Sequence, residues 1–353
     1  MQFLLSVMFG MICAWALKRK NASDGFCRWR LGAGALGAAF PHSDVFLKFF
    51  GRDVYEAYSY GITWSLFLAP LYAFILAYVL GYFSKRTWQT FYPITAGALI
   101  LSILLSMLTY SELKPLSPIL NWHVSIGLFY PLDLALLFFC GVTLLLGYFF
   151  RGVHRDIGRL GLIVIFCYVG ASITFYKKVE GFAEDYAEAF HLKVEKIHVM
   201  PQPISPMNWR VIVETKGARL HDTFVNISRK EEKVVDDTAT RAARIDALYK
   251  PTDKAVWRIY RRYGRHKSDV RLAKSAWMSM QKSGDQFARM ARFAIFQSAY
   301  NYNDYNCAKF LDLRLQGSRR EKEGSFLICN ESGQAVLYRS DQEGTFSRLD
   351  MMY

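Results

Sequence analysis

Apolar positions are unevenly spread along this chain. From Met1 to Tyr176 they run in long blocks, whereas from Lys177 onward charged residues break nearly every short stretch. A helix needs about twenty apolar residues to cross the hydrocarbon core of a bilayer. The blocks Phe3–Leu17, Ile62–Phe83, Ile94–Tyr110, Val124–Phe150 and Leu160–Tyr176 therefore predict spans. A sixth block, Leu31–Phe50, is rich in Gly and Ala and is interrupted by Pro41, His42, Ser43 and Asp44, so it either crosses or re-enters. Irregular backbone at membrane depth is tolerated only where protein or a watery cavity satisfies it, which makes the Pro41 region a candidate cavity wall.

The pattern changes after Tyr176. Glu180–Phe190 reads as a linker helix continuing the last span, and Lys193–Val199 and Trp209–Thr215 read as strands. In the second of these, Trp209, Val211 and Val213 alternate with Arg210, Ile212 and Glu214. Lys254–Arg265 carries Val256, Ile259, Tyr260 and Tyr263 at helical spacing, and Asp285–Ala299 does the same with Phe287, Met290, Ala291, Ala294 and Ser298. Phe310–Leu315 alternates Leu with charge. Ser325–Cys329 and Ala335–Tyr338, joined by Asn330-Glu331-Ser332-Gly333, carry a hairpin signature. The expected architecture is an α-helical polytopic membrane domain of about six spans over residues 1–176, a linker helix over 177–192, and a soluble α+β domain over 193–353.

Charge orients that expectation. Lys18, Arg19, Lys20, Arg28 and Arg30 follow Phe3–Leu17, Lys85 and Arg86 follow Ile62–Phe83, and Arg151, Arg155 and Arg159 follow Val124–Phe150. If Leu31–Phe50 crosses, all these clusters fall on one side, as the positive-inside rule asks, and the C-terminal domain is extracytoplasmic. The whole chain of 353 residues carries a net charge of +14. With apolar blocks present, anionic lipid is the partner this charge favours. No nucleic-acid-binding motif accompanies it. Of six cysteines, Cys13, Cys140 and Cys167 lie in apolar blocks and Cys27 in a basic loop, while Cys307 and Cys329 fall in candidate strands. No CxxC spacing occurs, and an oxidising compartment would permit a Cys307–Cys329 disulfide.

The polar residues inside the apolar half carry a further pattern. Ser6, Pro41-His42-Ser43-Asp44, Ser59-Tyr60-Gly61-Ile62-Thr63-Trp64-Ser65, Leu101-Ser102-Ile103-Leu104-Leu105-Ser106 with Met107-Leu108-Thr109, and Pro131-Leu132-Asp133 occur in that order. In order and spacing they resemble the membrane-bound metal-dependent hydrolases of the YdjM/YbcI-like kind. Those carry an early Thr-His, a Pro-Asp-x-Asp turn, a His-Arg-Gly-x-Thr-His-Ser loop, a Ser-His-x-x-x-Asp helix leading into Leu-Thr, and a later intramembrane Asp. The stretches Pro201–Arg210 and Cys307–Arg314 resemble longer members. The resemblance implies an inner (cytoplasmic) membrane location in a bacterium and a divalent-metal site.

The metal-ligand positions are where this chain departs from that pattern. The early His falls at or beside Ser6, and the Pro-Asp-x-Asp turn keeps only Asp44. Both His of the loop are replaced, one by Ser59 and the other by Trp64. The His and Asp of the helix are Ser102 and Ser106. A catalytic divalent metal needs about three ligands from imidazole, carboxylate or thiolate, and only His42, Asp44 and Asp133 remain. The expectation is a degenerate member, a pseudoenzyme that binds membrane lipid or an envelope protein partner. The alternative is a metal-dependent hydrolase of a lipid-like or phosphoester substrate, with Asp44 and Asp133 catalytic and His42, Asp44 and Asp133 holding the metal. Passage of a small molecule or ion is a third reading. Intramembrane carboxylates such as Asp44 and Asp133 are functional candidates by default, and their bland counterpart is a structural hydrogen bond.

Overall fold

The computed structural model describes residues 2–18, 24–51, 54–55, 58–109, 112–120, 122–131, 133–236, 238–281, 287, 291–316, 321–331, 333–341 and 343–349. The chain divides into two compact units, one built from residues 1–186, 198–211 and 223–256, the other from 187–197, 212–222 and 257–353.

The apolar blocks do fold as helices, but short ones: α1 (Gln2–Ala16), α2 (Asp24–Ala39), α3 (Ala69–Ser84), α4 (Tyr92–Met107) and α5 (Leu134–Phe149). A sixteen-residue helix is about 24 Å long, short of the ~30 Å hydrocarbon core. Among the described residues one helix, α6 (His154–Ala189), is long and apolar enough to cross a membrane. The expected bundle of about six spans is therefore corrected to one candidate span and several shorter apolar helices. The orientation argument that alternated basic loops across six crossings lapses with it.

The causes of shortening are local. Leu31–Phe50 neither crosses nor re-enters as one helix: α2 ends at Ala39 and Pro41 opens a 3-10 segment, Phe40–Phe50. The block Val124–Phe150 is extended in its first part, with Thr109 bridged to Phe129 and Leu113 to Val124. Gly127 there has φ +75°, and the helix starts only after Asp133. Ser65 ends the loop before α3, taking an N–H bond from Leu68 and donating its own hydroxyl to the Ser117 carbonyl.

Small residues let α1 and α2 approach closely. A Cβ on Gly10 or Gly34 would lie 2.1 Å from the other's carbonyl oxygen, and Ala14 and Ala38 flank the contact. Leu5, Phe9 and Ile12 of α1 pack with Phe129, Leu136, Cys140 and Ile165 in one core, and Trp64, Leu99, Ile103 and Leu113 form another. Large apolar side chains remain outside: Phe74, Tyr78, Tyr82 and Phe83 on α3, Phe138 and Phe149 on α5, and Leu160, Ile163 and Phe166 on α6 are all exposed.

The C-terminal half is β-rich rather than the expected α+β. Strands β1 (Val194–Pro201), β2 (Asn208–Thr215), β3 (Arg219–Asn226), β4 (Lys250–Pro251) and β5 (Arg258–Arg261) form one sheet, ordered β1-β2-β3-β4 with β5 also on β3. Strands β6 (Ala294–Tyr302), β7 (Tyr305–Asp312), β8 (Ser325–Glu331), β9 (Gln334–Ser340) and β10 (Phe346–Leu349) form an antiparallel meander in reverse spatial order. The strands expected around Lys193–Val199 and Trp209–Thr215 and the Ser325–Tyr338 hairpin are present. Besides a short helix α7 (Arg241–Ala247), α8 (Lys267–Gln281) packs Ala273, Trp277 and Met280 onto Phe296, Phe310, Phe326, Ile328 and Leu337.

Two expected helices are corrected. Lys254–Arg265 contains β5, paired antiparallel with β3, and its Val256 and Ile259 are exposed, so the helical spacing never becomes a buried face. Ala294–Ala299 lies in β6, where Ile295 and Phe296 pair with Leu311 and Phe310. Asp285 and Met290, the start and middle of that expected helix, lie outside the described residues. Tertiary pairing outweighs helical spacing here.

Candidate functional site

Of the residues singled out in the apolar half, Ser6, His42, Asp44, Ser102 and Ser106 line two cavities beside the N-terminal turns of α1, and Asp133 lines neither. His42 Nε2 lies 3.0 Å from the Ser6 hydroxyl. Its ring packs edge-on against Phe3 and against Trp64, with centroids 5.7 and 4.8 Å away. Asp44 is buried, and its Oδ2 accepts the Tyr60 backbone N–H at 3.1 Å and the Trp64 indole N–H at 3.0 Å. The Trp64 that replaces an expected imidazole thus serves as a donor to the surviving acid. Phe3, Leu36, Phe40, His42, Asp44 and Trp64 are among the walls of a cavity of about 630 Å³.

Ser6, Ser102 and Ser106 share a second, much smaller cavity of about 30 Å³ with Gln2, Phe9 and Phe129. Gln2 donates its amide to Ser106 Oγ at 3.4 Å. Ser102 donates to the Ala38 carbonyl of α2 at 3.1 Å. A serine in a helix can bond a carbonyl of its own helix; Ser102 instead ties two helices together. The loop contributes one exception, since Thr63 Oγ1 is buried without a hydrogen-bond partner among the described residues.

Asp133 is the N-cap of α5. Its Oδ1 accepts the backbone N–H groups of Ala135 and Leu136 at 2.9 and 3.0 Å, which would otherwise be orphaned at the helix start. Its Oδ2 accepts the Tyr168 hydroxyl of α6 at 2.8 Å. Tyr168 was not singled out from sequence. Its signal was a phenol in the middle of the apolar block Leu160–Tyr176, an oxygen that needs a partner wherever it is buried.

These residues do not fit a divalent metal. Among the described residues, no group of three or more His, Cys, Asp or Glu side chains could hold one. Both Asp133 oxygens and one Asp44 oxygen already accept protein hydrogen bonds. Of the groups at the replaced ligand positions, serine hydroxyls are poor ligands beside imidazole or carboxylate, and the Trp64 indole is none.

The C-terminal motifs are held in hydrogen-bond networks within the fold. Asn208, buried at the start of β2, donates to Asp246 at 3.1 Å and accepts from Asn226 at 2.6 Å. Asp246 also accepts from Arg229 at 2.9 Å and Lys233 at 2.8 Å. Burial alone would push the Asp246 carboxyl up, but the bonds from Lys233 and Asn208 and the charges of Arg229 and Lys233 hold it below its ordinary 3.8. In the second motif Arg314 forks onto both oxygens of Asp312. Cys307 and Cys329 sit directly opposite across β7 and β8 and are joined by a disulfide.

A family model described as YdjM inner membrane protein matches residues 1–179. No curated protein and no solved structure matches the chain.

Proposed function

This chain belongs to the YdjM inner membrane protein family, and from that premise we propose that it acts by binding rather than by metal-assisted hydrolysis. One observation carries the reading: the acids that survive among the expected ligands are spent as hydrogen-bond acceptors within the fold. Asp44 holds the Tyr60–Trp64 loop and Asp133 caps α5 while tethering α6. A cation held by these two acids would compete with five protein donors they already accept, and few other donor atoms would receive it. The chain is on this reading a degenerate family member whose ligand positions were refilled with groups that need no metal, since an emptied His/Asp cluster in an apolar setting is costly.

The C-terminal β-rich half is the part that meets the partner, an anionic lipid or an envelope protein. The Cys307–Cys329 disulfide supports an extracytoplasmic position for it, because such bonds persist in oxidising compartments. Outward apolar side chains on α3, α5 and α6 support contact of the N-terminal half with lipid tails.

Elemental analysis of protein purified without chelator tests the metal-free reading. The expected result is no stoichiometric zinc, manganese or iron. A stoichiometric metal that disappears in Asp44→Ala and His42→Ala would overturn it and restore the hydrolase. Thiol labelling of intact cells tests the orientation: Cys307 and Cys329 are expected to label only after reduction with a membrane-impermeant phosphine. Labelling by impermeant reagents that needs cell rupture defeats the extracytoplasmic assignment.

A further inference from the structure

Lys254–Arg265, expected as a helix and carrying Arg258, Arg261, Arg262 and Arg265, instead contributes the rim of a cleft. β5 and the turn that follows it lie beside the β2–β3 turn and α8, enclosing about 730 Å³, a volume ordinary for a small-ligand site. Its lining includes Lys216, Arg219, Arg261, Arg262 and Lys274 against only two carboxylates, Glu195 and Glu214. One of those is already neutralised: Arg262 contacts Glu214 at 2.7 Å. Arg262 is also held by the Arg292 carbonyl at 2.9 Å and stacks over Trp277 at 5.3 Å, forming a rigid floor.

The free charge stands above that floor. Arg219 and Arg261 occupy directly opposed positions of the antiparallel β3–β5 pair. Like charges at such positions repel and are destabilising. At the other end of the same ladder Arg258 faces Asp222, so the pairing is complemented there and not at Arg219–Arg261. Both of these arginines and Lys216 are exposed, as is Lys274, whose ammonium lies 5.8 Å from the Tyr263 ring centre. Two turns build the rim: Ala218 at φ +55° and Gly264 at φ +86°. A Cβ on Gly264 would meet the Phe296 ring at 2.9 Å, so the turn into α8 requires glycine.

We propose that this cleft binds a phosphoryl anion, a phosphomonoester or phosphodiester headgroup, with Arg219 and Arg261 as paired forks and Lys216 and Lys274 closing round it. Two neighbouring guanidinium groups match the several acceptor oxygens of a phosphoryl group better than a single carboxylate. Tyr263 and Met278 supply an apolar wall for the carbon part of the ligand. The proposal deepens the binding role above and names its ligand class and its residues.

The test is calorimetry on the full chain in phosphate-free dodecyl maltoside. Three probes are titrated: glycerol 3-phosphate, dihexanoyl phosphatidylglycerol and, as the zwitterionic control, dihexanoyl phosphatidylcholine. Saturable binding of glycerol 3-phosphate or phosphatidylglycerol is expected, weakened about tenfold or more by Arg219→Gln with Arg261→Gln. Both positions are exposed, so the variant is expected to fold, and Arg219→Lys with Arg261→Lys keeps the charge and part of the affinity. Binding of the lipid alone identifies a headgroup site, and binding of the soluble ester identifies a free phosphoester site. The proposal fails if neither binds, if phosphatidylcholine binds equally well, or if the glutamine variant binds like the parent. A stoichiometric metal in the apolar half would sink the metal-free reading and leave the cleft standing; a null titration does the reverse.

Discussion

Replacing Asp133 by alanine removes three acceptor contacts at once. Loss of the bonds to Ala135 and Leu136 uncaps α5, worth about 1 kcal/mol. Loss of the bond from Tyr168 removes a charge-assisted interaction and strands a half-buried hydroxyl, worth a further ~1.5–3 kcal/mol. The sum, about 2.5–4 kcal/mol, corresponds to a drop of roughly 5–16 °C in melting midpoint for a cooperative unit of this size. Tyr168→Phe removes only the second part, and the double variant should cost about 1.5–3 kcal/mol less than the two single costs added together, because that part is shared. Asp133→Asn retains an oxygen for the cap but no charge, and should fall between alanine and the parent. The assay is thermal unfolding in a single detergent, followed by circular dichroism. An acid kept for chemistry or metal binding is commonly a burden to the fold, so its removal stabilises. A raised midpoint in Asp133→Asn, or strict additivity of the Asp133 and Tyr168 changes, would refute the structural assignment.

Other outcomes follow from particular contacts. Gly34→Val drives a side chain into the Gly10 carbonyl and should cost about 1–3 kcal/mol or more by melting. Gly32→Ala in the same helix, where a Cβ meets nothing within 4 Å, should stabilise by up to about 1 kcal/mol. Cys307→Ser with Cys329→Ser opens a link spanning 22 residues and should destabilise the C-terminal half by about 2–4 kcal/mol in denaturant titration. Because the Asp246 carboxyl is held below 3.8, its stabilisation is complete above that pH and is lost as pH falls through the depressed value. Asp246→Asn should therefore lower the midpoint at pH 7 and flatten the acid limb of the stability profile; an unchanged acid limb contradicts the network.

The hydropathy pattern by itself determined that residues 2–16, 69–84, 92–107 and 134–149 are helical and apolar, and that α6 runs unbroken past the last apolar block into a charged stretch. It also determined β1, β2 and the β8–β9 hairpin as strands, although β2 is buried on both faces from Asn208 to Val213 and not on one as its alternation suggests. The odd polar residues were legible too, through an order and spacing that resemble the family's motifs: Ser6, Ser102 and Ser106 line one cavity and His42 and Asp44 another. Helix length was not legible, because Pro41 follows the end of one helix, and Gly127 and the Asp133 cap delay the start of another, inside runs whose hydropathy continues. Nor was the fate of Lys254–Arg265 and Ala294–Ala299. Helical and strand spacings overlap over a few residues, and the hydrogen bonds offered by β3 and β7 decide between them. The cleft is the clearest case: Lys216, Arg219, Arg261 and Lys274 are distant in sequence, and only the pairing of β5 with β3 beside α8 turns a diffuse positive charge into one site. Spacing along a chain reports the neighbours within an element, whereas charge and hydrogen-bond complementarity between elements exist only once those elements meet.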